Sequence, residues 1–182
     1  MEAYTAGTLA GAGSFHCESC GYAIALHERD AVPACPRCSS KRFARSSMFA
    51  VEDTTSWGAQ EVERPEWLGD AREALVTRGD YLAFDDGERV RIVPLEEGWT
   101  RVGRSLAAQV RFDDPTVSRR HALIHREGDA IRVLDDRSLN GVWVNGERVD
   151  WRELADDDEL TIGRFRIYLL RVGSRSRFST AA

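Results

Sequence analysis

The sequence predicts a mainly β protein, a sandwich of short strands preceded by a small module built around four cysteines. Three observations carry that reading. Between Tyr81 and Leu170, short apolar runs alternate with turn signals at a spacing of about eight to twelve residues. All four cysteines fall near the N-terminus, as two Cys-x-x-Cys pairs. Between these regions, residues 46–64 show neither helical nor strand periodicity.

Taken in chain order, residues 1–14 are rich in Gly, Ala, Ser and Thr and read as a flexible arm. Residues 15–45 hold the cysteines and too few large apolar residues for a core of their own. Residues 46–79 form a linker with a possible short helix from Pro65 to Gly79. Pro65 suits the first turn, Trp67, Leu68, Ala71, Ala74 and Leu75 recur at a spacing of three to four, and Arg78-Gly79 suits a C-terminal cap. Gly69 works against that helix. Strands are expected at Tyr81–Phe84, Arg89–Val93, Trp99–Val102, Val110–Phe112, Ala122–His125, Ala130–Leu134, Val142–Val144, Glu159–Ile162 and Phe165–Leu170. Asp-Asp-Gly, Asp-Asp-Pro, Ser-Leu-Asn-Gly and Asn-Gly segments separate them. These strands make one domain, 80–172, and 173–182 has the composition of a disordered tail.

Composition narrows the function. A formal net charge of -5 over 182 residues argues against general affinity for DNA or an anionic membrane. There is no apolar run of bilayer-crossing length, and Met1–Ser14 lacks the basic flank and apolar stretch of a secretory signal. A cytoplasmic location is therefore expected, and there paired cysteines read as a metal site rather than as disulfides.

Three loop elements stand out in the β region: Gly103-Arg104, Ser118-Arg119-Arg120-His121, and Asn140-Gly141. Their order and spacing resemble the signature of the forkhead-associated (FHA) domain, over roughly residues 80–172. Val144-Asn145-Gly146 and Ile162-Gly163 follow where that family has them. The resemblance implies a sandwich of two antiparallel sheets that presents a phosphothreonine site on its loops. Arg104, Ser118, Arg119 and Asn140 are the implied ligand contacts, with Gly103, His121 and Gly141 as scaffold. The chemistry agrees. A phosphate carries about -1.5 to -2 charge and three acceptor oxygens, so it favours a guanidinium fork with small donors beside it. Asn140 is suited to hold the bound peptide's main chain. Leu139 and Val142 stand where many members have Ser or Thr, which bears on peptide preference rather than on phosphate binding.

The linker contains Asp53-Thr54-Thr55-Ser56. This resembles the Glu-Thr-Thr-Ser segment of small actinobacterial regulators, the glycogen accumulation regulator and the oxoglutarate dehydrogenase inhibitor. Thr116–Ala122, Ser138–Gly141 and Gly163–Leu170 resemble their FHA domains as well. In that family a Ser/Thr protein kinase modifies one of the two threonines, and the phosphothreonine docks into the same chain's FHA domain. The resemblance thus implies Thr54 or Thr55 as the phosphorylation site, and oxoglutarate dehydrogenase or glutamate-metabolising enzymes as candidate partners. About 25 residues of linker span roughly 25–30 Å, an effective concentration on the order of mM. A site of micromolar affinity would then close by roughly 10³.

The cysteines read Cys17-Glu-Ser-Cys20-Gly21 and Cys35-Pro36-Arg37-Cys38. Four thiolates on two tight knuckles form a closed tetrahedral site with no open catalytic position. Zn²⁺ is favoured. The pattern also resembles rubredoxin-like modules, which can carry iron. In a segment this short, metal binding supplies the folding energy. His16 and His27 are expected to be surface residues.

The sequence thus points to a phosphothreonine-dependent adaptor and not to an enzyme, since no phosphate-cradling Gly-x-x-x-x-Gly-Lys loop is present. A second reading is a nucleic-acid-associated protein, in which Arg37, Lys41, Arg42, Arg45 and Phe43 form the contact and the FHA domain recruits a phosphorylated partner. A third, electron transfer, would require iron.

Overall fold

The computed structural model describes residues 3–46 and 64–173. Thr54, Thr55 and the 174–182 part of the tail lie outside the described residues.

The N-terminal module is a four-stranded antiparallel sheet of β1 (Ala3–Thr5), β2 (Gly13–Cys17), β3 (Ala23–Leu26) and β4 (Arg42–Arg45), in the order β1-β4-β2-β3. The expectation of a flexible arm over 1–14 is corrected here. Ala3–Thr5 pairs with Arg42–Ala44, and Tyr4 packs edge-on against Phe15 at 5.2 Å. Gly7 and Gly11 adopt left-handed backbone angles, φ +90° and +73°, which let the small-residue segment wind back to β2. The module also has a core of its own, contrary to the composition argument. Phe15, Tyr22, Ile24, Leu26, Val32 and Phe43 are buried around Cys17 and Cys35.

The C-terminal domain is a sandwich. Its six-stranded sheet runs β12 (Glu147–Val149), β11 (Val142–Val144), β14 (Glu159–Ile162), β15 (Phe165–Val172), β5 (Gly79–Asp85), β6 (Val90–Pro94). The five-stranded sheet runs β13 (Trp151–Glu153), β10 (Ala130–Asp135), β9 (Ala122–Glu127), β7 (Gly98–Gly103), β8 (Val110–Arg111). Strand alternation turns Ile124, Ile131, Val133, Leu160, Ile162, Ile167 and Leu169 into one core between the sheets. The pairing is antiparallel except that β7 and β8 run parallel, a departure from the expected all-antiparallel sheets.

Two strands of the sandwich were not foreseen. β12 follows β11 through the two-residue turn Asn145-Gly146, whose φ angles of 51° and 79° suit a tight hairpin. β13 is three residues long and adds to the edge of β10. The helix α1 (Trp67–Glu73) is shorter than its periodic pattern. Leu68 and Ala71 lie against Ala83, Tyr168 and Leu170 on the outer face of the six-stranded sheet. Arg72 fixes the helix further through Asp156 and Asp157 at 2.8 and 2.6 Å.

Candidate functional site

At one end of the sandwich the loops after β7, before β9 and after β10 converge, and backbone bonds lace them together. Arg104 N–H donates to Ser118 O at 2.9 Å, and Ser105 N–H to Arg119 O at 3.1 Å. Gly103 is required by that approach, since a Cβ there would stand 2.4 Å from the Arg119 carbonyl oxygen. His121 is fully buried, and its Nδ1 accepts the Ser118 N–H at 3.0 Å. The proton is therefore on Nε2, which donates to Gly141 O at 3.2 Å. Burial pushes the pKa of this ring below the usual histidine range, with the Gly141 carbonyl opposing. The Ser118 hydroxyl oxygen accepts the Leu139 N–H at 3.0 Å, joining the second loop to the third. Gly141 has φ +81°, and a Cβ there would meet the Arg148 guanidinium at 2.5 Å.

The four residues expected to touch a ligand differ in what they face. Arg119 is exposed, and Ser118 retains a hydroxyl proton to donate. Arg104 is almost covered, its side chain 4% exposed. Its Nε meets Asp113 Oδ1 at 3.2 Å, one terminal nitrogen donates to Ala25 O at 3.0 Å, and the other to Asp30 Oδ2 at 2.6 Å. Asn140 is also buried. Its Oδ1 accepts the Ala23 N–H at 3.0 Å and its Nδ2 donates to Ala23 O at 2.7 Å. Ala25 N–H donates to Pro115 O at 3.0 Å. The N-terminal module is thus seated on these loops through β3 and the turn after it. Beside this contact lies a cleft of about 510 Å³, lined by Arg104, Ser118, Arg119 and Arg137 from the sandwich and Ser14 and His27 from the module.

Asp30 was not foreseen. Its other partner is the His27 N–H at 2.7 Å. Burial pushes its carboxyl up, but the His27 amide and the Arg104 guanidinium outweigh it and hold the group below the usual carboxylate range. No local motif flags Ala23, Ala25 or Asp30, because their partners lie far along the chain. Thr116 is a second omission. Its N–H and hydroxyl donate to buried Asp114 at 2.8 and 2.6 Å, and Arg164 closes on the other Asp114 oxygen at 2.7 Å. This ties the second loop to the β14–β15 turn.

The four cysteine sulfurs lie within 4.8 Å of one another. Cys17 and Cys38 are 3.6 Å apart, and Cys20 and Cys35 3.5 Å. A tetrahedral site with bonds of about 2.3 Å has sulfur–sulfur edges of about 3.8 Å, so this donor set fits a metal ion. Gly21, at φ +72°, turns the first knuckle. The N–H groups of Ser19 and Cys20 point at the Cys17 sulfur, and those of Arg37 and Cys38 at Cys35. Burial would push the Cys17 thiol up, yet these bonds and the neighbouring sulfurs bring it down to about 7. His16 and His27 stand outside the sulfur cluster, and His16 meets Ser46 Oγ at 3.1 Å. The basic patch is not assembled as expected. Phe43 is in the module's core, Arg42 pairs with Glu18 at 2.9 Å, and Arg45 covers the Phe15 ring.

Residues 100–163 match the family model for the FHA domain, and residues 1–47 that for a zinc-ribbon containing domain. The glycogen accumulation regulator of Mycolicibacterium smegmatis is 46% identical over 76 residues, 42% of this chain and 48% of that protein. The oxoglutarate dehydrogenase inhibitor of Corynebacterium jeikeium is 43% identical over 76 residues, 42% of this chain and 53% of that protein. This chain spans about half the length of the curated relatives it matches. Among solved structures, a chain from a structural and functional analysis of phosphothreonine-dependent FHA domain interactions is 37% identical. That match takes in 50% of this chain and 94% of the other, with a TM-score of 0.48. The chain therefore joins an N-terminal zinc-ribbon domain to an FHA domain, and over 76 residues it is similar to glycogen accumulation regulators and oxoglutarate dehydrogenase inhibitors.

Proposed function

We propose that this chain is a phosphothreonine-dependent interaction protein, a kinase-regulated adaptor rather than an enzyme. Arg104 and Ser118 take the phosphate, Arg119 adds charge at its rim, and Asn140 holds the main chain of the bound peptide. Gly103, His121 and Gly141 keep the three loops at the spacing this requires. The observation that carries the reading is the Asn140 amide. It grips the N–H and C=O of one residue of an extended strand, at 3.0 and 2.7 Å, as it would grip a ligand.

Phosphorylation of Thr54 or Thr55 by a Ser/Thr protein kinase supplies a ligand in the same chain. Thr55 lies nine positions before Arg64 and Thr54 eight positions after Ser46. Even fully extended, neither threonine is more than about 35 Å from a described residue. That tether keeps the effective concentration on the order of mM. Partners in trans are phosphothreonine proteins, and the names of the relatives make enzymes of central metabolism, oxoglutarate dehydrogenase among them, the first to try. Cys17, Cys20, Cys35 and Cys38 hold Zn²⁺ in preference to iron, and the metal supplies folding energy to the ribbon. The protein works in the cytoplasm.

The test is calorimetric titration of the chain with linker peptides phosphorylated at Thr54 or at Thr55, with unphosphorylated peptide and Arg104→Ala as controls. Binding that needs both the phosphate and Arg104 is the expected result. Equal binding of the unphosphorylated peptide would remove the reading.

A further inference from the structure

We infer that the zinc ribbon is the resident occupant of the FHA groove in the unphosphorylated chain, with the outer edge of β3 standing in for a peptide main chain and Asp30 for the phosphate. This rests on the phosphothreonine reading above, and adds that any phosphothreonine ligand must first evict the ribbon.

Four observations carry it. β3 is the last strand of the ribbon sheet, so alternate residues turn unpaired N–H and C=O groups outward. Those of Ala23 and Ala25 are the groups taken up by Asn140, Pro115 and Arg104. Second, both residues carry only a methyl group, which lets the strand approach the loops closely. Third, Asp30 sets a carboxylate oxygen 2.6 Å from the guanidinium that is otherwise available for phosphate. Fourth, Tyr22 is buried in the ribbon core with its hydroxyl beside Thr116 and Asp114, which extends the contact past the groove. The ribbon thus meets three FHA loops at once, two of them through ligand-contact residues.

The exchange has a direction. Asp30 offers one charge and two oxygens, whereas a phosphate offers about -1.5 to -2 charge and three. Arg119 is exposed and free to engage the surplus. Phosphothreonine, from the linker or from a partner, therefore displaces the carboxylate. The ribbon then leaves, and the outer edge of β3 becomes open to strand addition. Phosphorylation in this protein does not merely close the reader. It also releases the ribbon.

The test uses the full chain and a phosphothreonine peptide spanning residues 49–60. Asp30→Ala and Asp30→Asn remove the phosphate mimic. Ala25→Pro removes an N–H that points out of the ribbon sheet and leaves the β2 ladder intact. Each substitution should tighten peptide binding about tenfold, and the effects of Asp30→Ala and Ala25→Pro should combine. Hydrogen exchange gives an independent readout. The Ala23 and Ala25 amides bond only across the interface, so they should be protected in the free chain and lose protection when peptide saturates it. Peptide binding that requires Arg104 but is unchanged by all three substitutions, with Ala23 and Ala25 equally protected throughout, would overturn the inference and leave the phosphothreonine reading standing. Failure of the wild type and every variant to bind would overturn both.

Discussion

Arg104 and Asp30 lie 74 positions apart in the sequence and meet at 2.6 Å, a guanidinium from the FHA loops and a carboxylate from the zinc ribbon. Arg104 is almost fully covered there and also binds Asp113 and the Ala25 carbonyl. Replacement by Lys keeps the charge but gives up the planar fork, and a single ammonium does not reach three acceptors in that geometry. Arg104→Lys is expected to weaken phosphopeptide binding by about tenfold or more and Arg104→Ala by about a hundredfold. Calorimetry on correctly folded protein checks both.

Gly103 is the steric hinge of the site. A methyl group there would stand 2.4 Å from the Arg119 carbonyl oxygen, a backbone atom that is itself bonded to Ser105. Gly103→Ala should cost about 2–4 kcal/mol of stability and should reduce peptide affinity as the first two loops part. The urea midpoint measures the first effect and titration the second.

His121 makes stability depend on pH. Its folded-state pKa is depressed, so below about 6.5 the unfolded chain takes up a proton that the folded chain refuses. Its contribution is complete above that pH and is lost as pH falls towards the folded value. The urea midpoint should therefore drop as pH is lowered from 7 to 5, and less steeply in His121→Asn. Asp30 and Asp136, whose folded-state pKa values are also depressed, act lower, below about pH 4.

Metal removal should separate the two domains' fates. The ribbon core is a handful of residues around the sulfur cluster, and without a metal the desolvated thiols have no partner that offsets the order they impose. Chelation should abolish amide protection in β1–β4 and at Ala23 and Ala25, while β5 and β15 stay protected. Elemental analysis should give one zinc per chain, and a red, iron-loaded preparation would contradict that assignment.

The sandwich was legible because its signals are local. Alternation in Ala122–His125 and Ala130–Leu134, and the turn residues between them, each report a strand without reference to the rest of the chain. β12 and β13 were missed because Glu147-Arg148-Val149 and Trp151-Arg152-Glu153 are mostly charged and exposed and so lack an apolar run, although Asn145-Gly146 marked the turn that makes β12. The loop motif singled out Arg104, Ser118, Arg119 and Asn140, and the fold brings their loops together at one end of the sandwich. What covers Arg104 and Asn140 was not legible. Ala23, Ala25 and Asp30 are ordinary in their own surroundings, and only the folded sheet turns one backbone edge towards loops some 70–120 positions away. The arm was misread for a related reason. Small residues signal freedom in isolation, but here Gly7 and Gly11 supply turns that bring Ala3–Thr5 back to β4.

The most direct test of the central claim is titration of the full chain and of Asp30→Ala with linker peptides carrying phosphate on Thr54 or Thr55. A dissociation constant on the order of micromolar for at least one phosphopeptide, absent without the phosphate and lost in Arg104→Ala, is the predicted result. If neither protein binds either phosphopeptide, or the unphosphorylated peptide binds as well, these loops are not a phosphothreonine site.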